Sequence, residues 1–146
     1  MLTYIASIVS GIQVRVIIDK NIGSMEESVY TKLTELIINL PHWFDRACFS
    51  LVNQKPIDIN ILDEFCHILA EKRSTFIFKT IELKGWGNQP EVARISDFSF
   101  AYLIAHSLEI VLWTTYLDLR CYEEALEERC YLRELNLHAS SFYPPV

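Results

Sequence analysis

FSFAYLIAHSLEIVLWTTYLDL, residues 98–119, is the stretch on which the fold of this chain turns. It lies within fifty-three residues, 91–143, that contain neither glycine nor proline. Its apolar side chains go nearly all the way round a helical wheel, which predicts a helix with neighbours on several sides in the middle of a domain. One long helix, or two in series, is therefore expected over 96–138, with Ser96 as its cap. Beyond Leu119 the pattern becomes one-sided. Tyr122, Leu126, Cys130 and Arg133 continue one stripe, while Glu123, Glu124, Glu127, Glu128 and Glu134 fill much of the remainder, so the far end should leave the core and meet water.

Upstream, Gly85-Trp86-Gly87-Asn88-Gln89-Pro90 is the clearest loop of the chain, at 85–90. Thr75–Leu83 is rich in β-branched and aromatic residues, yet it also fits a helical stripe. Helix is preferred there, because a lone strand between helices would have little to pair with. Asp58 is placed to cap a helix to about Lys72, with Ile61, Leu62, Phe65, Ile68 and Leu69 inward and Asp63, Glu64, His67 and Glu71 outward. Residues 42–52 suggest a short helix after a kink at Pro41. Ser24-Met25-Glu26-Glu27 has the form of a capping box and opens a helix whose stripe is Met25, Val29, Leu33, Leu36, Ile37 and Leu40.

Residues 1–20 are different. Leu2–Val9 and Ile12–Ile18 are β-forming runs separated by Ser10-Gly11, which predicts a β-hairpin. The expected fold is thus mainly α, a single domain over 1–146: a hairpin at 1–20, helices over 24–84, a loop at 85–90, the long helix over 96–138 and an extended tail at 139–146. A chain of 146 residues with 51% apolar content can bury a core of its own.

Composition excludes several function classes. The net charge of −6 would repel phosphate backbones and anionic lipid, so neither nucleic acid nor membrane is an expected partner. Residues 98–117 are long enough to span a bilayer, but His106 and Glu109 near the centre make that costly. No basic leader or cleavage signal precedes Arg15, and a cytoplasmic protein is expected. Four glycines cannot build a phosphate-cradling loop, and no nucleophile elbow or metal-ligand spacing occurs, so no catalytic residue, cofactor or metal is expected. On a helix, Cys121 and Cys130 would stand about 13 Å apart at roughly 1.5 Å per residue, too far for a disulfide. Free thiols are expected at Cys48, Cys66, Cys121 and Cys130.

Three readings of function follow. The first is a non-catalytic protein-binding module, an acidic cytoplasmic partner protein such as a toxin-neutralising immunity factor or a host-interaction protein. Doubled carboxylates one turn apart, Glu123-Glu124 and Glu127-Glu128, repel one another unless a basic partner sits opposite, and Trp86, Phe142 and Tyr143 are candidate aromatic anchors. The second is a small-molecule-binding or acid/base enzyme with a pocket among Tyr102, His106, Glu109 and Trp113, since polar groups within an apolar helix need partners and desolvation shifts their titration. The third is a homodimer joined through the long helix. Cys66 and His67 are adjacent on a helix and diverge by about 100°, so they do not form a catalytic pair. His67 is instead expected between Asp63 and Glu71 in an exposed charge ladder.

Overall fold

A computed structural model of the chain describes residues 4–9, 13–18, 26–55, 57–83, 95–118, 120 and 131–143. The architecture is α/β, which corrects the expected helical bundle. Strands β1 (Tyr4–Val9), β2 (Gln13–Ile18), β3 (Arg46–Asn53), β4 (Ile77–Leu83), β5 (Ser107–Asp118) and β6 (Glu134–Tyr143) lie side by side in chain order in one sheet. β1 runs antiparallel to β2, with Val9 opposite Gln13, and β2 to β6 are all parallel. Helices α1 (Glu26–Asn39), α2 (Ile59–Lys72) and α3 (Asp97–Ala105) lead into β3, β4 and β5 respectively.

Parallel neighbours require crossovers, and right-handed crossovers that always step the same way place every helix on the same face. The helices accordingly form one layer in the order α1, α2, α3. Under them the sheet contributes Val16, Ile18, Phe49, Leu51, Phe78, Ile81, Leu83, Ile110 and Leu112, all within one core with Leu33, Ile37, Leu62, Phe65, Leu69, Phe100 and Leu103. Among the described residues no helix lies over the other face.

The largest correction falls on 96–138. Ser96 does cap a helix, its hydroxyl accepting from the Ser99 amide, but α3 has only nine residues. It stops at His106, where φ −122° and ψ 25° turn the chain out of the helix without a glycine. The next residues enter β5. An apolar run is equally suited to a buried helix and to a strand of a parallel sheet, and periodicity alone does not separate them. Here Ile110, Val111, Thr114 and Thr115 are β-branched and Trp113 and Tyr116 aromatic, and β4 and β6 on either side take up the backbone hydrogen bonds. The tail expected from 139 begins inside β6.

Two smaller corrections share that cause. Residues 77–83 form β4, not a helix, since the strand neighbours thought to be missing are β3 and β5. In 42–52, only His42–Asp45 coil into a short 3-10 turn, and β3 follows at Arg46. Asp58 caps α2 as its position implies, accepting from the amides of Asn60 and Ile61 at 2.8 and 3.3 Å. Ser24, Met25 and the 85–90 loop lie outside the described residues.

One buried cation joins these units. Arg73, 4% exposed, follows α2 directly and reaches back beneath the end of α1. Its Nη1 donates to the carbonyls of Ile37, Ile38 and Leu40 at 2.9, 2.9 and 2.6 Å, and Nη2 to that of Pro41 at 2.9 Å. Nε donates to Asp45 Oδ1 at 2.8 Å. The guanidinium thus takes up carbonyls that the last turn of α1 leaves open, and stands for a C-terminal cap. Arg73→Leu should lower the free energy of urea unfolding by about 3–5 kcal/mol, the cost of stranding one half of a buried ion pair. Arg73→Lys should recover only a minor part, because an ammonium lacks the planar fork. A loss below about 1 kcal/mol for Arg73→Leu would show that the network contributes little.

Candidate functional site

Two surfaces of the molecule carry the features of a site, one on each side of the sheet. The first is a groove of about 260 Å³ between α1 and α2. Tyr30, Ile38, Ile61, Phe65 and Ile68 give it an apolar floor, and Glu27, Glu35 and Glu64 stand around it. Its floor is rigid: the Tyr30 ring meets Phe65 edge-on at 5.2 Å, and the Tyr30 hydroxyl accepts from Asn53 Nδ2 at 2.7 Å. The Thr34 hydroxyl donates to the Tyr30 carbonyl at 2.6 Å and the Thr31 hydroxyl to the Glu27 carbonyl at 2.8 Å. With its hydroxyl groups already engaged inside the chain, the groove offers an entering group mostly hydrocarbon contact. The volume is below the range of about 300–1,000 Å³ typical for small-molecule sites, and suits one or two side chains.

The second surface is the face of the sheet turned away from the described helices. Strand register carries one row of side chains straight across it: Arg15 beside Ser50, Ser50 beside Thr80, Thr80 beside Glu109 and Glu109 beside Glu134. Their in-strand neighbours Val16, Leu51, Ile81 and Ile110 point to the helices and are buried, so the row points away from them. The Thr80 hydroxyl donates to Glu109 Oε2 at 3.0 Å, and Lys79 Nζ donates to Gln13 Oε1 at 2.9 Å. Together with Glu82 and Val111 these residues line a depression of about 550 Å³. Farther along the strands, the Trp113 ring stacks on that of His138 at 3.9 Å.

The residues singled out as a pocket are divided between these regions. Tyr102 is buried on α3 and stacks on the His106 ring at 4.4 Å, while His106 Nδ1 faces the Phe76 carbonyl at 3.1 Å. Glu109 and Trp113 belong to the open sheet face. The i,i+3 spacing of His106 and Glu109 would have joined them on a helix, but the chain changes from helix to strand between them. The Tyr102 hydroxyl and the Ser107 hydroxyl are both buried without a hydrogen-bond partner among the described residues. Burial pushes the Tyr102 phenol up, with a further push from nearby Cys66.

Of the residues proposed to bind a partner, Glu123, Glu124, Glu127, Glu128 and Trp86 lie outside the described residues. Phe142 and Tyr143 pair through their backbones with Leu117 and Asp118 in β5. His67 leaves the expected charge ladder and stacks on Phe98 at 3.7 Å. Asp63 instead accepts from the hydroxyls of Ser96 and Ser99, pinning α2 to the start of α3. Beside it, burial pushes the Cys66 thiol up to about 12, an inert protonated sulfur. Cys48 and Cys66 are free. Among the described residues no cluster of His, Cys, Asp and Glu is placed to hold a metal ion, and no helix is long and apolar enough to cross a membrane.

Neither surface was visible as such in the sequence. In sequence Ile61 and Ile68 fit the inward stripe of a helix, and Arg15, Ser50 and Thr80 carry no signal of their own, because they meet only across strand register. Comparison of the chain with family models, with curated proteins and with solved structures gives no match.

Acid should weaken the fold in two windows. Burial depresses the His106 pKa below 6.5 despite the Phe76 carbonyl, so the unfolded chain takes up that proton first and stability falls as pH drops below about 6.5. Burial raises Asp45, but hydrogen bonds from Thr75, Arg73 and His42 and the Arg73 charge outweigh it, leaving the pKa below 3.8. Its contribution is present above 3.8 and is lost as pH falls through the folded value. Urea unfolding as a function of pH should show both slopes, and His106→Gln should flatten the upper one alone. An unchanged upper slope in that variant would assign it to other groups.

Proposed function

We propose that this chain is a non-catalytic protein-binding module, and that its α1–α2 groove receives an apolar side chain from a basic partner protein. The groove carries this reading: a hydrocarbon floor ringed by Glu27, Glu35 and Glu64 is complementary to an amphipathic helix whose apolar anchors are flanked by Lys or Arg. A chain with net charge −6 attracts such a partner over distance, and the floor holds it at contact. A toxin-neutralising immunity factor and a host-interaction protein both fall in this class. The free thiols Cys48 and Cys66 support placing the protein in a reducing cytoplasm. The long helix expected to join a homodimer does not form, because α3 ends after nine residues and β5 follows.

A synthetic helical peptide with Leu and Trp on one face and Lys on the other tests the proposal by fluorescence anisotropy. Glu27→Lys with Glu64→Lys should weaken binding by about tenfold or more, and Ile61→Gln should weaken it without changing charge. The same two-charge reversal on the sheet, Glu82→Lys with Glu134→Lys, is the control and should change affinity by less than about twofold at 0.15 M salt, where distant charges are screened. Equal losses in the two charge-reversed variants would reduce the attraction to net charge and overturn the groove as the site.

A further inference from the structure

We propose that the occupant of the α1–α2 groove is a single helix whose cations are divided two to one between its flanks. The pair, about seven residues apart, faces α1, the single cation faces α2, and two apolar anchors one turn apart lie between them. The pattern rests on the protein-binding reading of the groove and deepens it by naming which partner helix is accepted.

The floor selects for a helix over an extended chain. The Thr31 and Thr34 hydroxyls donate to the carbonyls of Glu27 and Tyr30, and the Tyr30 hydroxyl accepts from Asn53. Ile38, Ile61, Phe65 and Ile68 supply only hydrocarbon. An extended segment laid there would bring peptide amides and carbonyls onto a surface with nothing to pair them, whereas a helix keeps those bonds within itself. The rim is open, since Glu27, Thr31, Glu35 and Glu64 are all exposed.

The placement of the carboxylates sets the spacing. α1 and α2 lead into the parallel strands β3 and β4 and so run the same way. The Tyr30 ring against Phe65 puts those two residues at one level. Glu27 lies three residues before that level and Glu35 five after it, both on the α1 wall and about 12 Å apart at roughly 1.5 Å per residue. Glu64 lies one residue before it, and it is the single carboxylate that α2 contributes to the lining. Among the described residues none of the three has an ion pair within the chain. Positions seven apart on a docked helix stand about 10.5 Å apart on one flank, so two lysines or arginines at that spacing reach Glu27 and Glu35 together. Cations on the outward face would stand about a helix diameter, 10 Å, farther off, where salt screens them.

Fluorescence anisotropy with three synthetic helical peptides of one composition tests this on the full chain. Each carries leucine anchors one turn apart and three lysines. Two peptides place the lysines two to one on the flanks, with the pair on one flank or on the other, since the direction in which the helix lies decides which flank meets α1. The third places all three opposite the anchors. One flanked peptide should bind at least about tenfold tighter than the third at 0.15 M salt. Glu35→Lys should weaken that peptide about fivefold or more and leave the third within about twofold. Replacing the lysine at one end of the pair by glutamate should restore binding to the Glu35→Lys variant, and the same replacement at the other end should not. Equal affinity of all three peptides, or restoration by neither replacement, would overturn the pattern and leave the groove as the site if Ile61→Gln still weakened every peptide. Peptide binding indifferent to Ile61→Gln would overturn the groove itself and the pattern with it. Circular dichroism of each variant separates loss of fold from loss of binding, and the three peptides give their answer on the unsubstituted chain.

Discussion

The buried guanidinium of Arg73 holds together the part of the molecule on which everything else rests. It collects carbonyls of Ile37, Ile38, Leu40 and Pro41 and the carboxylate of Asp45 around one group. Those groups belong to the end of α1 and the 3-10 turn that feeds β3, while Arg73 itself stands between α2 and β4. Two successive crossovers are thereby locked to each other. Without this cation the part-buried carbonyls of Ile38, Leu40 and Pro41 would each lose this donor and the buried carbonyl of Ile37 would keep the Leu40 amide, a loss set against the cost of desolvating a charge.

Locking consecutive crossovers in the same sense gives the molecule its sidedness. With the helices on one side, the sheet residues divide by parity. Val16, Leu51, Ile81 and Ile110 close the core, and Arg15, Ser50, Thr80 and Glu109 face away from it. The helix layer has its own outer surface, and the α1–α2 groove is where its packing leaves hydrocarbon uncovered. Both candidate surfaces are consequences of one topological fact. They differ in chemistry because one is a seam between two helices and the other a register of strands.

Local signals in the chain were accurate where the physics is local. Asp58 and Ser96 satisfy amide groups within three residues of themselves, so their capping role needs nothing from the rest of the fold. The buried stripe of α2 is similar, with Leu62, Phe65 and Leu69 inward, although Ile61 and Ile68 turned out to line the groove. The apolar stretch 98–119 was opaque for the opposite reason. Its hydrophobicity reports burial, and burial is equally available to a helix and to a strand. Residues 75–83 suit a helical stripe and a strand alike, and only the neighbouring strands at 46–53 and 107–118 decide between them.

What the amino-acid sequence determined by itself is therefore composition-level and short-range: a core large enough to stand alone, an acidic surface, the helix starts at Asp58 and Ser96, and β-forming runs before Ile18. Tertiary structure alone decided that His106 ends a helix, that β5 lies between β4 and β6, and that Arg15, Ser50, Thr80 and Glu109 share a row. The reason is the range of the interactions. A capping bond closes within a few residues, whereas a parallel strand gains its hydrogen bonds from neighbours some thirty residues away, as β3 does from β4 where Ser50 lies beside Thr80, and β4 from β5 where Thr80 lies beside Glu109.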